Sequence, residues 1–429
     1  MSRRPPLPEG PYLVVGLARS GAAAARVLRE HGEVIGCDSG RPEVPEGIES
    51  HLESDGLGLL EGARTLVKSP GVPRQAAVVA EALRRDVPVY GELELAWRLL
   101  PNRFLAVTGT NGKTTTVELL GAIHRAARVP VEVAGNVGTP LASLVGRADP
   151  EAVVVCEVSS FQLEDADGFA PECALLLNLA EDHLDRHGSF DAYRDAKLRL
   201  FAHQRPADVA VAPSDLALPG AARRVEFGAP GADLMLENGE LMWRGAGLLG
   251  AAEVRLRGAH NLENAMGAAA AALATGLEPE PVREALRSFT GVPHRLEEVG
   301  TVDGVLYVND SKATNVAAAA RGIEAFEGGV HAILGGSLKG GGFAGLREPV
   351  AARCRACYLI GEATERLAAD LEGTVPLRRC GDLGSAVREA EAAAKPGEVV
   401  LLSPACASYD QYEDYERRGD HFRALIPRA

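Results

Sequence analysis

The chain has 429 residues, 46% of them hydrophobic and 24% charged, and its 45 basic against 59 acidic side chains leave a formal charge of −14. These proportions exclude a disordered or fibrous chain, and the acidic balance excludes a general binder of nucleic acid or membrane surfaces, which basic patches would hold. Any phosphate ligand must therefore be gripped locally. No apolar run approaches the roughly 20 residues of a membrane span, and the start MSRRPPLPEGPYLVVG meets glycine too soon for a secretory apolar region. The seven cysteines are odd in number and mostly lie in apolar runs, as reduced buried thiols do. Cys354 and Cys357 form one CxxC, without the second pair or nearby histidine that would complete a zinc site. A cytoplasmic, monomeric protein is expected.

In chain order, the apolar runs YLVVG (12–16), RFLAVTG (103–109), AVVVCEV (152–158), ALLLNL (174–179), VHAILGG (330–336), ACYLIG (356–361) and EVVLLSPA (398–405) read as buried strands, with alanine-rich amphipathic helices between them. That alternation predicts an α/β chain built on parallel sheets. The strands ending at Gly16, Gly109 and Gly335 are each predicted to turn into a helix, giving three nucleotide-binding-like sheets in series. The sheet pattern closes near VPVYGEL (87–93) and again near SFTGVPHR (288–295), which divides the chain into 1–92, 93–291 and 292–429. The turn-rich segment 205–260 contains EFGAPGADLMLENGELMWRGAG, a pattern for a small antiparallel insertion.

Several strings carry chemistry. The turn GLARSG (16–21), with Asp38 ending VIGCD, permits a dinucleotide-binding reading, although Ala18 would crowd a pyrophosphate. Ser69-Pro70-Gly71 is a strand-end turn that either takes a ligand or is simply a turn. FLAVTGTNGKTTT (104–116) is a phosphate loop in kind: a strand, a glycine turn and a helix start whose free N–H groups meet phosphate. It departs from GxxxxGK[ST], since Val107 stands where the first glycine belongs. In it Lys113 is expected on the β- and γ-phosphates and the Thr114 hydroxyl on Mg²⁺. Glu157, at the end of AVVVCEV, offers a hard oxygen for that ion, whereas His183 in NLAEDHLDRHG is an unusual Mg²⁺ ligand and reads equally well as structural. Lys197 would repel a cation unless neutral, or converted by CO₂ to a carbamate that supplies oxygen. Asn261 and Asn264 stand three apart on the alanine-rich GAHNLENAMGAAAAA (258–272), either hydrogen-bonding a base or capping a buried helix. VNDSKATN (308–315) gathers Asp310, Lys312, Thr314 and Asn315 in one turn.

Lysine usage sharpens the list. Of the 45 basic residues only Lys68, Lys113, Lys197, Lys312, Lys339 and Lys395 are lysine, so 45 − 6 = 39 are arginine. Four of the six stand in GTNGKTT, YRDAKLRL, NDSKATN and GGSLKGGG. These are places for a compact ammonium or a nucleophilic amine, which arginine's planar fork cannot replace.

Taken together, GTNGKTT, EVSSFQL (157–163), NLAEDHLDRHG, the Lys197 helix, GAHNLENA, PHR (293–295) and NDSKATN resemble the Mur ligase family from end to end. The resemblance implies three domains: a Rossmann-like one over 1–92 for a UDP-sugar, a P-loop ATPase over 93–291, and a Rossmann-like one over 292–429 for the incoming amino acid. It implies an ATP-dependent acid–amino-acid ligase of peptidoglycan precursor synthesis that phosphorylates the carboxylate of UDP-N-acetylmuramoyl-L-alanine, takes D-glutamate as the amine, and releases ADP and phosphate. By matching motif, Gly109, Thr110, Asn111, Gly112, Lys113, Thr114, Thr115, Asn264, Arg295 and Asp310 would serve ATP, with Asn264 on adenine and Asp310 on ribose. Thr114, Glu157, His183 and a carbamylated Lys197 would organise two Mg²⁺ ions. Ser20, Asp38, Ser39, Ser69, Gly71, Asn136, Ser159 and Gln162 would line the muramoyl site, and Lys312, Thr314, Lys339, Ser408 and Tyr415 the D-glutamate site. The chain departs from the family's pattern at Ala18, at Gly40 before Arg41, and at Tyr415, where phenylalanine is common in the D-glutamate-adding subgroup. Sister Mur ligases, folylpolyglutamate synthases, a non-catalytic nucleotide binder and a dehydrogenase are the competing readings.

Overall fold

In a computed structural model, which describes residues 4–256, 258–338 and 342–426, the run YLVV becomes the wholly buried strand β1 (Tyr12–Val15). It pairs with β2 (Val34–Asp38) and, across its other edge, with β4 (Thr65–Lys68); β3 (Glu49–Leu52) and β5 (Val89–Gly91) complete an all-parallel sheet of order β3-β2-β1-β4-β5. Parallel strands covered on both faces need continuous apolar runs, as the buried β1 supplies, whereas the edge strand β3 (ESHL) is polar and partly exposed.

A second sheet has the order β14-β13-β12-β11-β10-β9-β6-β8-β7. β6 (Phe104–Thr108) lies between β8 (Val153–Glu157) and β9 (Cys173–Leu176), with β7 (Val131–Gly135) at one edge and β10 (Val209–Pro213) and β11 (Arg223–Gly228) beyond β9. All of these pair in parallel. The expected antiparallel insertion is β12 (Leu234–Glu237), β13 (Glu240–Trp243) and β14 (Ala246–Gly250). The first two sheets share buried core: Ala23, Leu93, Trp97 and Leu100 cluster with Phe104, Leu163 and Phe169, and clustering of contacts puts both sheets in one unit ending at Phe289.

The second unit takes in the short piece at Leu256 and Gly258 and the chain from Thr290 on, and carries a sheet of order β15-β16-β20-β17-β18-β19. β15 (Glu297–Val302) and β16 (Val305–Asn309) form an antiparallel hairpin, and β17 (Val330–Gly335), β18 (Cys354–Ile360), β19 (Leu377–Gly381) and β20 (Val399–Leu402) are parallel. Two apolar clusters cover its faces. One expectation fails here. Gly335 opens no helix, because Gly335 and Gly336 both take positive φ and Ser337 then bridges to Ala407; the next α-helix is Arg347–Arg353. Among the described residues no helix is long and apolar enough to cross a membrane.

Candidate active site

The glycine turn after β6 leads into the helix Lys113–Ala126, and the start of such a helix, with its first N–H groups and dipole, suits an anion. Gly112 is left-handed (φ +83°), and a Cβ there would lie 2.7 Å from Asn264 Cγ. The loop is thus backed directly by the helix Ala259–Ala274, where buried Asn264 also donates to Asn261 Oδ1 at 3.2 Å. The Lys113 ammonium curls over the loop, donating to Gly109 O at 2.9 Å and Thr110 O at 3.0 Å. Asn178 clamps the turn from β9's side: its Oδ1 accepts from Asn111 N at 2.9 Å and its backbone O from Thr110 N at 3.1 Å. Thr114 and Thr115 are buried in the first helical turn.

Glu157 ends β8 beside this loop, buried at 2% exposure. Its Oε2 accepts from the Thr114 hydroxyl at 2.7 Å and its Oε1 from Asn136 Nδ2 at 3.1 Å. A carboxylate and a hydroxyl side by side at a phosphate loop are hard donors that fit Mg²⁺. Among the described residues no three His, Cys, Asp or Glu side chains gather into a metal cage. Mg²⁺ tolerates that, since it keeps waters and binds phosphate oxygens.

Lys197, on the helix Phe190–Ala202, is buried and donates to Gly109 O at 2.8 Å, 4.7 Å from the centre of the Tyr193 ring. Burial, then the Lys113 charge, push its amine down to about 7 against the pull of Asp182 and Glu157. Tyr193, one turn earlier, donates to Thr110 Oγ1 at 3.0 Å, and burial raises its phenol to about 12. His183 is left-handed (φ +52°), with its ring 4.8 Å from Phe161 and 6.3 Å from Tyr193. Sequence reasoning missed its neighbour His187, which is stacked on Phe161 and held between Ser160 Oγ (3.0 Å) and Glu164 Oε1 (3.2 Å).

In the first sheet, Asp38 accepts from Leu17 N at 2.7 Å and Gly40 N at 2.8 Å, so it braces the two turns at the strand ends. Ser20 is half-buried in the first turn of the helix Arg19–Leu28 and Ser39 is exposed. Ser69 donates to Gly16 O at 2.7 Å, and a Cβ on Gly21 would lie 2.7 Å from its Oγ, so GLARSG and SPG pack on one another. Gly71 has open space around it. Ser159 and Gln162 form a capping box: Gln162 N donates to Ser159 Oγ at 3.3 Å and Ser159 N to Gln162 Oε1 at 2.9 Å.

In the second unit Asp310 is buried, with Oδ1 accepting from Leu296 N at 3.2 Å and Oδ2 from Ser403 Oγ at 2.7 Å; burial lifts its carboxyl to about 7. Both oxygens are thus engaged internally. Arg295 keeps a buried Nε with no hydrogen-bond partner. Lys312 Nζ lies 5.6 Å from the Tyr415 ring centre, Thr314 N donates to Lys312 O, and Ser408 is buried nearby in sequence from Tyr415's helix. Lys339 lies outside the described residues. Arg418, invisible among so many arginines, is 1% exposed and organises this end of the unit. Its guanidinium donates to Ser311 Oγ (3.0 Å), Ser311 O (2.9 Å), Cys406 O (3.1 Å) and Ala407 O (3.2 Å), and burial brings it down to about 10. Arg418→Met should strand those carbonyls and cost at least ~3 kcal/mol. A urea midpoint unchanged from the parent would contradict that.

A phosphate loop, a Thr–Glu pair for a divalent cation and a buried lysine converge on one strand end, the equipment of a nucleotide-dependent ligase. Residues 107–272 match the Mur ligase middle domain and 294–406 the Mur ligase glutamate ligase domain, and the chain belongs to the Mur ligase family. It is 43% identical over 441 residues to UDP-N-acetylmuramoylalanine–D-glutamate ligase of Acidobacterium capsulatum, covering 96% of this chain and 95% of that protein. A relative of the same name from Solibacter usitatus is 42% identical over 431 residues, covering 96% and 97%. Among solved structures, MurF ligase from Thermotoga maritima in complex with ADP shares the fold, with a TM-score of 0.62 at 20% identity over 98% of this chain and 95% of that one.

Proposed function

We propose that this chain is the ATP-dependent ligase that joins D-glutamate to UDP-N-acetylmuramoyl-L-alanine in peptidoglycan precursor synthesis, working as a monomer in the cytoplasm. The observation that carries the reading is the convergence of Lys113, Thr114–Glu157 and Lys197 on the turn at Gly109, in a chain over 40% identical to ligases of that name. The division of labour is 1–92 for the UDP-sugar, 93–291 for ATP and 292–429 for the amino acid.

A carboxylate is a poor electrophile, so the alanyl carboxylate first attacks the γ-phosphorus: an O–P bond forms, the bond to ADP breaks, and an acyl phosphate results. The D-glutamate amine then attacks the carbonyl carbon. A C–N bond forms through a tetrahedral intermediate, the amine loses a proton, and the C–O bond to phosphate breaks. Lys113, seated on the loop carbonyls, places its charge at the β- and γ-phosphates as two anions meet. Thr114 and Glu157 would hold Mg²⁺, which offsets that same charge; His183 and a carbamylated Lys197 would serve a second ion. Asn264, which lies against Gly112, is assigned to the nucleotide together with Arg295 and Asp310. Asp38, Ser20, Ser39, Ser69, Gly71, Asn136, Ser159 and Gln162 belong to the muramoyl site. Lys312, Thr314, Lys339, Ser408 and Tyr415 take D-glutamate, whose two carboxylates suit paired lysines.

The test is phosphate release from ATP and Mg²⁺ with UDP-N-acetylmuramoyl-L-alanine, comparing D-glutamate with L-glutamate, L-alanine, meso-diaminopimelate and L-lysine. Release with D-glutamate alone is expected. Turnover with another amino acid only would overturn the acceptor, and none with any would overturn the ligase reading.

A further inference from the structure

Lys68 is one of two lysines outside the four chemical strings, yet it is among the most deeply buried side chains in the chain, at 1% exposure. It ends β4, immediately before the turn Ser69–Val72. Its Nζ lies 2.5 Å from Asp165 Oδ2 and donates to Val72 O at 2.9 Å. Asp165 is equally buried and caps the C-terminus of the short helix Ser160–Glu164, which follows Glu157 directly. One ammonium therefore ties the far side of the turn from the first sheet to the segment running out of the second, while Ser69 Oγ ties the near side to Gly16.

Other charged groups stand close to the pair. Arg74 Nε lies 3.5 Å from Asp165 Oδ1, the opposite oxygen, without a hydrogen bond between them. Arg186 donates to Pro70 O at 3.0 Å and to Glu164 Oε2 at 3.1 Å, with its guanidinium 4.0 Å from the Phe161 ring centre. Glu164 in turn meets His187, and His187 meets Ser160. Two carbonyls of a four-residue turn are thus each taken by a cation that also holds a carboxylate at the C-terminal end of the helix Ser160–Glu164, which begins three residues after Glu157. A buried ion pair rarely adds net stability over an apolar pair of the same volume. Its distinctive property is directional: charge and hydrogen-bond geometry fix one register where packing alone allows several.

We propose that the Lys68–Asp165 pair is a positioning device for the UDP-muramoyl substrate, setting the turn Ser69–Val72 in register with the catalytic segment Glu157–Ser160. Neither residue touches the reacting atoms. This rests on the reading above for the identity of the substrate, but not for the mechanical link. A compact ammonium is required because it must reach a carboxylate and a turn carbonyl from inside a strand end, where arginine's fork would not fit.

The variants are Asp165→Asn, Lys68→Met and the double Lys68→Met/Asp165→Leu, all in the full chain. Asp165→Asn and the double variant are expected to raise KM for UDP-N-acetylmuramoyl-L-alanine about tenfold or more, with KM for ATP within about twofold and kcat little changed. The double variant removes both charges, so it keeps a fold that Lys68→Met, with its stranded carboxylate, can lose. Wild-type KM in the double variant would overturn the proposal, as would KM values for ATP and the muramoyl substrate that rise together. Hydrogen exchange decides independently of substrate: faster exchange at the amides of Ser69, Gly71 and Val72, with the loop 109–114 unchanged, is expected in the double variant, and unchanged exchange at those three amides would overturn it. If the parent enzyme fails to turn over the muramoyl substrate, the functional reading falls and the exchange result alone decides this one.

Discussion

Lys197→Ala is expected to lower kcat about a thousandfold, and added formate or acetate should restore part of it. The side chain is buried on the phosphate-loop turn, 2.8 Å from Gly109 O, with Lys113 hydrogen-bonded to the same carbonyl. Two ammonium groups there cannot both remain charged beside a divalent cation. Burial and Lys113 hold the Lys197 amine at about 7, below its ordinary 10.5, so between those values it is neutral in the folded protein where a free lysine is charged. A neutral amine attacks CO₂, forms an N–C bond and releases a proton, which turns a donor into an anionic oxygen ligand. The sign follows: protonation below about 7 removes the nucleophile, so enzyme stripped of CO₂ should regain activity on adding bicarbonate at pH 8 and much less at pH 6. Phosphate release reads the activity, and intact mass reads the added CO₂. Alanine enzyme that no short carboxylate rescues would show that Lys197 serves by its charge instead.

The phosphate loop was legible because its chemistry is contiguous: Gly109 to Thr115 carry the turn, the cation and the hydroxyl in one string. Lys197 was legible for another reason, the scarcity of lysine in an arginine-rich chain. Lys68 fell outside the four strings that this scarcity singled out, because TLVKSPG reads locally as an ordinary strand end, and only the fold brings Asp165 to its ammonium. Arg186, although inside NLAEDHLDRHG, and Arg418 were not singled out, since an arginine's importance here lies in which carbonyls it meets. Ser159 and Gln162 show the reverse case. Their S-x-x-Q spacing is the signature of a capping box, a local role the structure displays beside the substrate role assigned to them. Asp310 reads as a loop acid in NDSKATN, and the sequence does not show that its oxygens accept from Ser403 Oγ and from Leu296 N, just after PHR.

Lys113→Ala and Lys113→Arg should both lower kcat/KM by about a thousandfold, the arginine variant nearly as far as the alanine one. The Lys113 ammonium fits inside the turn, on Gly109 O and Thr110 O, at the start of a helix, where N–H groups suit an anion. A guanidinium keeps the charge but is planar and longer, and it cannot take both carbonyls without leaving the phosphate position. An arginine variant within tenfold of the parent would mean that charge alone suffices. The alanine variant carries a second consequence through Lys197. Lys113 is the main charge pushing that amine down, after burial. Removing it should move the Lys197 amine upward and shift CO₂ uptake to higher pH, so the residual activity of Lys113→Ala should peak at a more alkaline pH than the parent's. The arginine variant, still cationic at this point, should not show that shift, which separates lost phosphate contact from lost tuning of Lys197.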